Sequence, residues 1–303
     1  MHNIISLKNL TKDYGNGKGI FDFSFDVKRG EIFGFVGTNG SGKTTTIRNM
    51  MGFLKPKSGS VTINGYDCWK DAYKIKKIVG YIPGQIDFPD VGTGTEFLKI
   101  QADFLGLKDL TYMNQLIDMF KLDTDASLKR MSKGMKQKTA IVAAFMAEPE
   151  ILIMDEPSTG LDPMMRDKLI ELIQDHKNKG RTAFMSSHIF KELEDTCDRV
   201  AFIHNGKMIN IVDRGQYHED MDKRYRIGFT NDQDYHEFLN SGFHIVNQND
   251  QYMHLGLEIS DQDINELFQS LSNYNIRYIN YQPYTLEWYY NNIIQKQEVS
   301  FSV

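Results

Sequence analysis

The chain has 303 residues, 41% of them hydrophobic and 25% charged, which is typical of a folded protein large enough for two domains. A net charge of −5 argues against nucleic-acid binding, because affinity for phosphate backbones requires clustered Lys and Arg. Two cysteines, Cys68 and Cys197, are too few for a disulfide framework, and their separation does not suit a metal site. We therefore expect an ordinary folded protein of a reducing cytoplasm that binds no nucleic acid.

The chain shows no sequence pattern of its own for export or for crossing a membrane. Its first ten residues lack the basic start and apolar run of an export signal. The longest charge-free apolar stretch, residues 139–147, is shorter than the roughly 18 residues that a membrane-spanning helix requires. If the protein takes part in membrane transport, we expect a separate chain to supply the pore.

Short apolar runs near glycines predict the strands in the first part of the chain, at 4–7, 21–27, 32–36, 60–63 and 78–82. Helical spacing begins at Thr44 and returns at 94–105, 110–120, 133–147, 163–179 and 189–197. Two unbroken apolar runs, 151–154 and 182–185, are typical of strands buried on both faces of a sheet. Strands followed by helices in this order predict an α/β core with a parallel sheet.

The pattern changes around Gly215, where we place a boundary between residues 1–214 and 215–303. The second part predicts strand, helix, strand, strand, helix and strand, at 224–229, 232–239, 244–246, 252–257, 261–272 and 277–281. A terminal helix is predicted from Leu286. The sequence therefore predicts a small α+β accessory domain of about 85 residues after the larger domain.

The strongest chemical signal is a glycine-rich loop between a predicted strand and a predicted helix. It matches G-x-x-x-x-G-K-[ST] and comprises Gly37, Thr38, Asn39, Gly40, Ser41, Gly42, Lys43, Thr44 and Thr45. Glycines let successive backbone N–H groups point at phosphate oxygens, and the helix N-terminus adds its positive dipole end. Lys43 is expected to reach the β and γ phosphates of a nucleotide, and the Thr44 hydroxyl to bind Mg²⁺.

A second element of a phosphate site follows the apolar run 151–154, where the chain continues with Asp155 and Glu156. Asp155 is expected to hold the Mg²⁺ shell, and Glu156 to accept a proton from water. Two acids after a strand are more often a solvated turn, and the glycine-rich loop alone matches by chance in roughly one chain of this length in a hundred. Together they predict a nucleotide-hydrolysing site.

The order of these motifs resembles that of the nucleotide-binding subunits of ABC transporters, over residues 4 to about 210. Residues 131–137, Met-Ser-Lys-Gly-Met-Lys-Gln, are similar to the family's LSGGQ signature, in a form that resembles bacterial drug and antimicrobial-peptide exporters. Residues 158–162 resemble the D-loop, His188 the switch histidine, and Tyr14 the aromatic residue that stacks on adenine. Taken alone, Ser132 indicates only a helix N-cap, and a lone Tyr or His is usually a packing residue.

The resemblance implies a fold, cofactors and a set of site residues. The fold is α/β, a P-loop ABC-type ATPase core with an antiparallel β subdomain and a helical subdomain, plus the small α+β C-terminal domain. ATP and Mg²⁺ are the implied cofactors. The implied nucleotide-binding residues are Tyr14, Gly37, Asn39, Gly40, Ser41, Gly42, Lys43, Thr44, Thr45, Ser132, Gly134 and Asp162. The implied catalytic residues are Glu156, His188 and Gln85, and the implied metal ligands are Thr44, Gln85 and Asp155.

The chain departs from the family pattern in two motifs. Where the family has glutamine directly after Tyr-Ile-Pro, this chain has Gly84 and then Gln85, which leaves open which of them senses the γ-phosphate and the attacking water. In the signature, Lys133 replaces the first glycine and Met135 replaces the glutamine. The resemblance also implies a nucleotide-sandwiched homodimer or heterodimer, in which Ser132 and Gly134 act on the partner's nucleotide.

By the same resemblance, we expect the ATP-hydrolysing subunit of an ABC transporter that exports a peptide or a drug-like molecule through a separate permease. It would be cytoplasmic and peripheral at the inner face of the membrane. The apolar residues Phe88, Val91, Phe97 and Phe104 are expected to contact the permease.

Two alternatives are an ABC-type ATPase that acts on ribosomes or DNA and a metabolic P-loop kinase. Proteins of the first kind usually carry two tandem cassettes or a long coiled coil, whereas this chain has one phosphate loop and no sustained heptads. The signature, the D-loop and His188 count against the kinase.

Overall fold

The computed structural model describes residues 3–214, 222–291 and 293. The chain divides into two compact units, Met1–Asp213 and Arg214–Val303. The strands of the first unit are β1 (Asn3–Gly15), β2 (Lys18–Lys28), β3 (Ile32–Gly37), β4 (Ser58–Ile63), β5 (Tyr66–Asp67), β6 (Val79–Ile82), β7 (Ile151–Asp155), β8 (Thr182–Ser187), β9 (Arg199–His204) and β10 (Lys207–Asp213). Its helices are α1 (Lys43–Met50), α2 (Ala72–Ile78), α3 (Gly94–Phe104), α4 (Thr111–Met119), α5 (Lys133–Phe145), α6 (Pro163–Asn178) and α7 (Phe190–Thr196).

Two sheets form the first unit. An antiparallel sheet has the order β2-β1-β4-β5, and a second sheet has the order β10-β9-β3-β8-β7-β6. In the second sheet all neighbours pair in parallel except β10, which is antiparallel to β9. Strands β3, β7 and β8 are buried at every residue, as expected where helices and a second sheet cover both faces. This agrees with the predicted α/β core.

Aromatic side chains join the two sheets. Phe25 of β2 stacks on Phe33 of β3 at 5.1 Å between ring centroids and on Phe184 of β8 at 6.1 Å. These rings belong to one buried cluster that also includes residues of β1, β4 and α1. Because a closely packed core has low compressibility, the ends of β3, β7 and β8 are held in fixed positions.

The sequence patterns missed four elements of this unit, which are the two-residue strand β5, strands β9 and β10, and helix α2. Strands β9 and β10 form a hairpin whose turn is Asn205-Gly206, a strong hairpin signal that the prediction passed over. Helix α2 begins six residues before Ile78, where a strand was predicted to start. Only Ile75 of α2 is buried, so its seven residues give almost no apolar periodicity to detect.

The second unit is a small α+β fold. Its elements are β11 (Lys223–Phe229), α8 (Asp232–Phe238), β12 (Ile245–Asn249), β13 (His254–Ile259), α9 (Ile264–Leu271) and β14 (Ile276–Tyr281), and residues 286–291 are helical. The strands form an antiparallel sheet of order β12-β13-β11-β14, the split βαβ arrangement of ferredoxin-like domains. Its core includes Ile227, Phe229, Tyr235, Phe238 and Leu257.

One strand of the second unit starts later than predicted. Residues Asp250–Tyr252 form a turn of 3-10 helix, and Met253 has a φ of 50°, so β13 begins only at His254. Within residues 3–214, 222–291 and 293, no helix combines the length and apolarity needed to cross a membrane.

Candidate active site

The glycine-rich loop connects the end of β3 to the start of α1. Strand β3 ends at Gly37 and α1 begins at Lys43. The loop between them turns tightly, because the Ser41 N–H donates to the Thr38 carbonyl at 3.1 Å. A loop of this shape at a helix N-terminus is suited to binding phosphate oxygens through its backbone N–H groups.

Glycine is required at the residue that precedes α1. Gly42 has a φ of 114°, and a Cβ there would lie 2.4 Å from Ile20 Cγ2. Other residues rarely adopt that backbone conformation, and the contact leaves no room for a side chain. The loop therefore keeps its shape only with glycine at this position.

Lys43 is the cation of the loop, and its side chain is only 6% exposed. Its Nζ donates to the Gly37 carbonyl at 2.8 Å and to the Thr38 carbonyl at 3.3 Å. The Ser41 hydroxyl is buried and has no hydrogen-bond partner among the described residues. A buried, unpartnered hydroxyl beside a fixed cation fits a site for an anionic ligand with acceptor oxygens.

Asp155 lies at the end of β7 and is 1% exposed. Its Oδ2 accepts a hydrogen bond from Thr44 Oγ1 at 2.7 Å, and its Oδ1 accepts one from Ser186 Oγ at 2.6 Å. Ser186 reaches it because it is opposite Asp155 in the parallel pairing of β7 and β8. The Asp155 carboxylate and the Thr44 hydroxyl are hard oxygen ligands, so this pair fits Mg²⁺.

The next residue, Glu156, has an unusual backbone conformation. Its φ is 49°, in the left-handed region, which costs about 1–2 kcal/mol for a residue with a side chain. The Glu156 N–H donates to the Ser186 carbonyl at 3.0 Å and approaches Ser186 Oγ at 3.1 Å. Ser186 therefore holds both acids, Asp155 through its side chain and Glu156 through its backbone. Strain of this kind concentrates at functional sites.

The Glu156 side chain lies between a lysine and a histidine. Its Oε1 is 3.4 Å from Lys43 Nζ, and its Oε2 is 3.0 Å from His188 Nδ1. The side chain of Glu156 is 23% exposed and that of His188 is 51% exposed, so water can reach both. A fixed carboxylate open to water and adjacent to a phosphate-binding loop has the geometry of a general base.

A cavity of about 280 Å³ adjoins the two acids, and Thr44, Arg48, Tyr81, Gly84 and Gln85 line it with them. A Cβ at Gly84 would lie 2.9 Å from Asp155 Oδ2, so position 84 is directly against the carboxylate. Gln85 supplies the side chain at this wall. Burial, with a smaller contribution from the Asp155 charge, raises the pKa of the Tyr81 phenol to about 12, which keeps it neutral and able to donate a hydrogen bond.

A larger cavity of about 620 Å³ extends from the loop to Tyr14. The predicted site residues that line it are Tyr14, Asn39, Gly40, Gly42, Lys43, Thr44, Thr45 and Glu156. The Tyr14 ring is 55% exposed, and Lys12 Nζ lies 5.8 Å from its centroid. An exposed aromatic ring at the end opposite the phosphate loop is available to stack on a planar base.

The lining of the two cavities omits six predicted site residues, which are Gly37, Ser41, Ser132, Gly134, Asp162 and His188. Gly37, Ser41 and His188 each form a hydrogen bond with a lining residue. Ser132 and Gly134 are at the start of α5, and Asp162 precedes α6, and none of them is among the lining residues. Ser132 Oγ accepts from the Met135 N–H at 3.2 Å, and an Asp162 carboxylate oxygen accepts from the Met165 N–H at 3.0 Å. Within one chain Ser132 and Asp162 therefore cap their helices.

The structure brings further residues to the site that the sequence patterns did not single out. Asn205 and Gly206, in the β9–β10 turn, line the larger cavity, and the Gly206 N–H donates to the Ser41 carbonyl at 3.1 Å. Ser186 forms hydrogen bonds with both acids, and Arg48 lines the smaller cavity beside them. Arg48 follows Thr44 by one helical turn, and that spacing is a signal that the sequence did contain.

Comparisons with known proteins agree with a nucleotide site of this geometry. A family model described as ABC transporter matches residues 20–159. Over 215 residues the chain is 38% identical to the bacitracin transport ATP-binding protein BcrA of Bacillus licheniformis, covering 70% of each chain. This chain belongs to the ABC transporter ATP-binding family. Over 214 residues it is also 34% identical to the linearmycin resistance ATP-binding protein LnrL of Bacillus subtilis, covering 69% of this chain and 68% of that one.

A solved structure extends the likeness beyond the first unit. The ATP-binding subunit of an ABC transporter is 28% identical to this chain with a TM-score of 0.64, over 89% of this chain and 99% of that one. The predicted family, the ABC-type α/β fold and the ATPase class are therefore confirmed. As an ABC ATPase, the protein binds ATP.

Proposed function

We propose that this ABC ATPase powers the export of a peptide or drug-like molecule through a separate membrane-spanning permease. The ATPase part of this proposal rests on the position of Glu156. Its carboxylate lies between Lys43 and His188, and Glu156 directly follows Asp155, which accepts a hydrogen bond from Thr44. We assign residues 1–214 to the nucleotide-binding domain and residues 215–303 to an accessory domain. The division of the chain after Asp213 supports that assignment.

The proposed roles follow from the contacts. Thr44 and Asp155 hold Mg²⁺, with Gln85 at the wall of the same cavity, and Lys43 neutralises the β and γ phosphates. Bound Mg²⁺ supplies positive charge to the phosphate oxygens. Glu156 accepts a proton from the attacking water, and His188, in contact with its Oε2, fixes the orientation of that carboxylate.

Tyr14 is proposed to stack on adenine, and its substitution gives a first test. Replacing Tyr14 by alanine is expected to weaken ATP binding by about 1–3 kcal/mol, the usual value for stacking of a base on an aromatic ring. Tyr14→Phe keeps the ring and should bind ATP almost normally. Isothermal titration calorimetry with ATP measures both variants, and equal affinity of the alanine variant and the wild type would assign Tyr14 to packing alone.

The working unit is proposed to be a dimer that encloses two nucleotides. Ser132 and Gly134 lie outside the cavities of their own chain, which supports their action on the nucleotide of a second subunit. The start of α5 presents a positive dipole end for a γ-phosphate. The second subunit is either a copy of this chain or a related one.

An apolar groove is proposed to receive the permease. It has a volume of about 480 Å³, and its lining includes Phe53, Tyr81, Phe88, Phe97 and Phe104. Phe97 is only 8% exposed and packs against Phe88 at 4.7 Å between ring centroids, whereas Phe104 is 72% exposed. Tyr81 also lines the cavity beside Asp155, so the groove and the active site share a wall.

Val91, which the sequence suggested as a permease contact, is not among the groove residues. Phe104 gives the better test, because a large exposed apolar side chain contributes little to the fold of the isolated subunit. Phe104→Glu, coexpressed with the permease, is expected not to copurify with it, while basal ATP hydrolysis of the subunit persists.

The matched control for that experiment is Tyr252→Glu. Tyr252 is a large side chain of similar exposure, 59%, in the second unit. This variant should copurify with the permease as the wild type does. Retention of the permease by Phe104→Glu would show that the groove is not the docking site, and loss of folding, measured by circular dichroism, would show that Phe104 belongs to the core.

The substrate class is proposed by analogy with the relatives. Bacitracin transport and linearmycin resistance are the functions named for the two relatives compared above. We favour a cytolytic or antimicrobial peptide, with a small drug or bacitracin-like antibiotic as the second candidate. The permease is expected to select the substrate, since the two active-site cavities are lined by residues of the phosphate loop and by the paired acids and are suited to a nucleotide.

A further inference from the structure

Residues 66–78 form a surface of unusual composition in the first unit. We call it the aromatic–lysine face, and it comprises the side chains Tyr66, Trp69, Lys70, Tyr73, Lys74, Lys76 and Lys77. The segment contains four lysines and two aspartates, a net charge of +2, although the whole chain has a net charge of −5. Trp69 is 43% exposed and Tyr73 is 62% exposed.

The two aspartates of this segment are occupied locally. Asp67 Oδ1 accepts hydrogen bonds from the backbone N–H groups of Trp69 and Lys70 at 3.0 and 2.8 Å. Asp71 Oδ1 pairs with Lys74 Nζ at 3.0 Å. Among the described residues, no carboxylate lies within ion-pair distance of Lys70, Lys76 or Lys77. Their charges are therefore available to a partner.

The lysines lie close to aromatic rings. Lys74 Nζ lies 4.9 Å from the centroid of the Tyr66 ring and 5.7 Å from that of Tyr73. Lys76 Nζ lies 5.0 Å from the centroid of Phe53, which is 49% exposed. Aromatic rings with lysine ammonium groups beside them are characteristic of protein surfaces at the level of lipid headgroups, where Trp and Tyr are enriched.

The position of this face relative to the groove indicates its partner. Phe53, Lys76 and Lys77 also line the proposed permease groove, so the C-terminal end of α2 forms part of its rim. Tyr73 precedes Lys77 by four residues and therefore lies on the same side of α2. A permease segment in the groove would bring the membrane surface close to this rim.

We propose that the aromatic–lysine face, with Trp69 and Tyr73 exposed and Lys77 at the rim of the groove, contacts the anionic lipid headgroups of the membrane beside the permease. The inference rests on the proposed function, since the ATPase of a transporter works next to a membrane. Lysines provide attraction to anionic lipid, and the two aromatic rings enter the headgroup layer. The contact holds this edge of the subunit against the membrane while nucleotide binds and leaves.

Trp69 provides a direct probe of this contact. The chain contains two tryptophans, so the full chain with Trp288→Phe has Trp69 as its single tryptophan. Addition of vesicles made of equal parts phosphatidylglycerol and phosphatidylcholine is expected to shift its emission to shorter wavelength and to reduce quenching by acrylamide. Vesicles of phosphatidylcholine alone should leave the emission unchanged, and added salt should weaken the effect.

Substitutions then test which side chains are responsible. In the single-tryptophan chain, Lys70→Gln and Lys77→Gln should each weaken partitioning onto anionic vesicles by a factor of about five, the usual contribution of one lysine near such a surface. Tyr73→Ala, made in the same single-tryptophan chain, should weaken partitioning onto these vesicles more than either lysine substitution does. The controls Lys8→Gln, Lys207→Gln and Tyr252→Ala change exposed residues elsewhere and should partition normally. Lys70→Gln, Tyr73→Ala and these three controls should not change basal ATP hydrolysis.

The outcomes separate this inference from the proposed function. No emission change with anionic vesicles, an equal change with neutral vesicles, or equal partitioning of test and control variants would overturn the lipid contact. A shift seen only when the permease is present in the vesicles would also overturn it, and would assign the face to a protein contact. Failure of the permease interaction itself would appear in the Phe104→Glu experiment, which needs no contact with lipid.

Discussion

Replacement of Glu156 by glutamine is expected to lower ATP turnover by about 10²–10⁴, the usual contribution of a positioned general base. Glutamine keeps the size of the side chain and its contact with His188, but it cannot accept the proton of the attacking water. ATP should still bind, because Lys43 and the loop are unchanged. With hydrolysis blocked, the closed dimer should accumulate, and size-exclusion chromatography with Mg-ATP should detect it.

The matched control is Glu171→Gln, which removes one carboxylate from the exposed face of α6 and should hydrolyse ATP at the wild-type rate. Turnover of Glu156→Gln close to that of the control would show that another group accepts the proton. A dimer that forms equally well without ATP would show that nucleotide is not what joins the subunits.

Lys43→Ala is expected to reduce turnover by about 10²–10³, the usual loss when one preorganised donor to the transition state is removed. It should also weaken ATP binding, because Lys43 is a buried cation of the phosphate loop and lines the larger cavity. Phosphate release measures turnover, and calorimetry measures binding. The two variants should therefore differ, since Glu156→Gln still binds ATP and Lys43→Ala binds it poorly.

Folding has to be checked for the Lys43 variant. Its Nζ also donates to two loop carbonyls, so alanine leaves those oxygens without their partner and can lower stability. Lys43→Arg retains the positive charge, and Lys99→Ala removes an exposed lysine of α3 as a control for the loss of charge. A folded Lys43→Ala protein with wild-type turnover would exclude the proposed phosphate site.

The core of the site was predictable because its main parts are contiguous in sequence. The glycine-rich loop and the Asp155-Glu156 pair are local motifs, and each follows an apolar run that the structure shows as a buried strand. A strand end followed by a helix N-terminus is also a local pattern, so the start of α1 was placed correctly to within one residue.

The supporting residues were harder to predict because they depend on contacts between distant segments. Ser186 meets the acids only through the parallel register of β7 and β8, which no local pattern specifies. Asn205 and Gly206 line the larger cavity although their hairpin, β9–β10, is the last one in the sequence of the first unit. Ser132 does not line the cavities of its own chain, and this also depends on where the fold places α5 relative to the glycine-rich loop.

The backbone of Glu156 has a consequence for the evolution of this protein. Its φ of 49° is a conformation that glycine adopts without penalty and that glutamate adopts only at a cost. Selection for thermal stability alone would therefore favour glycine at this position, whereas the proposed role of Glu156 as general base would set selection for ATP turnover against that change. The two pressures act against each other at a single residue, so gains in stability have to come from elsewhere in the chain if the enzyme is to stay active.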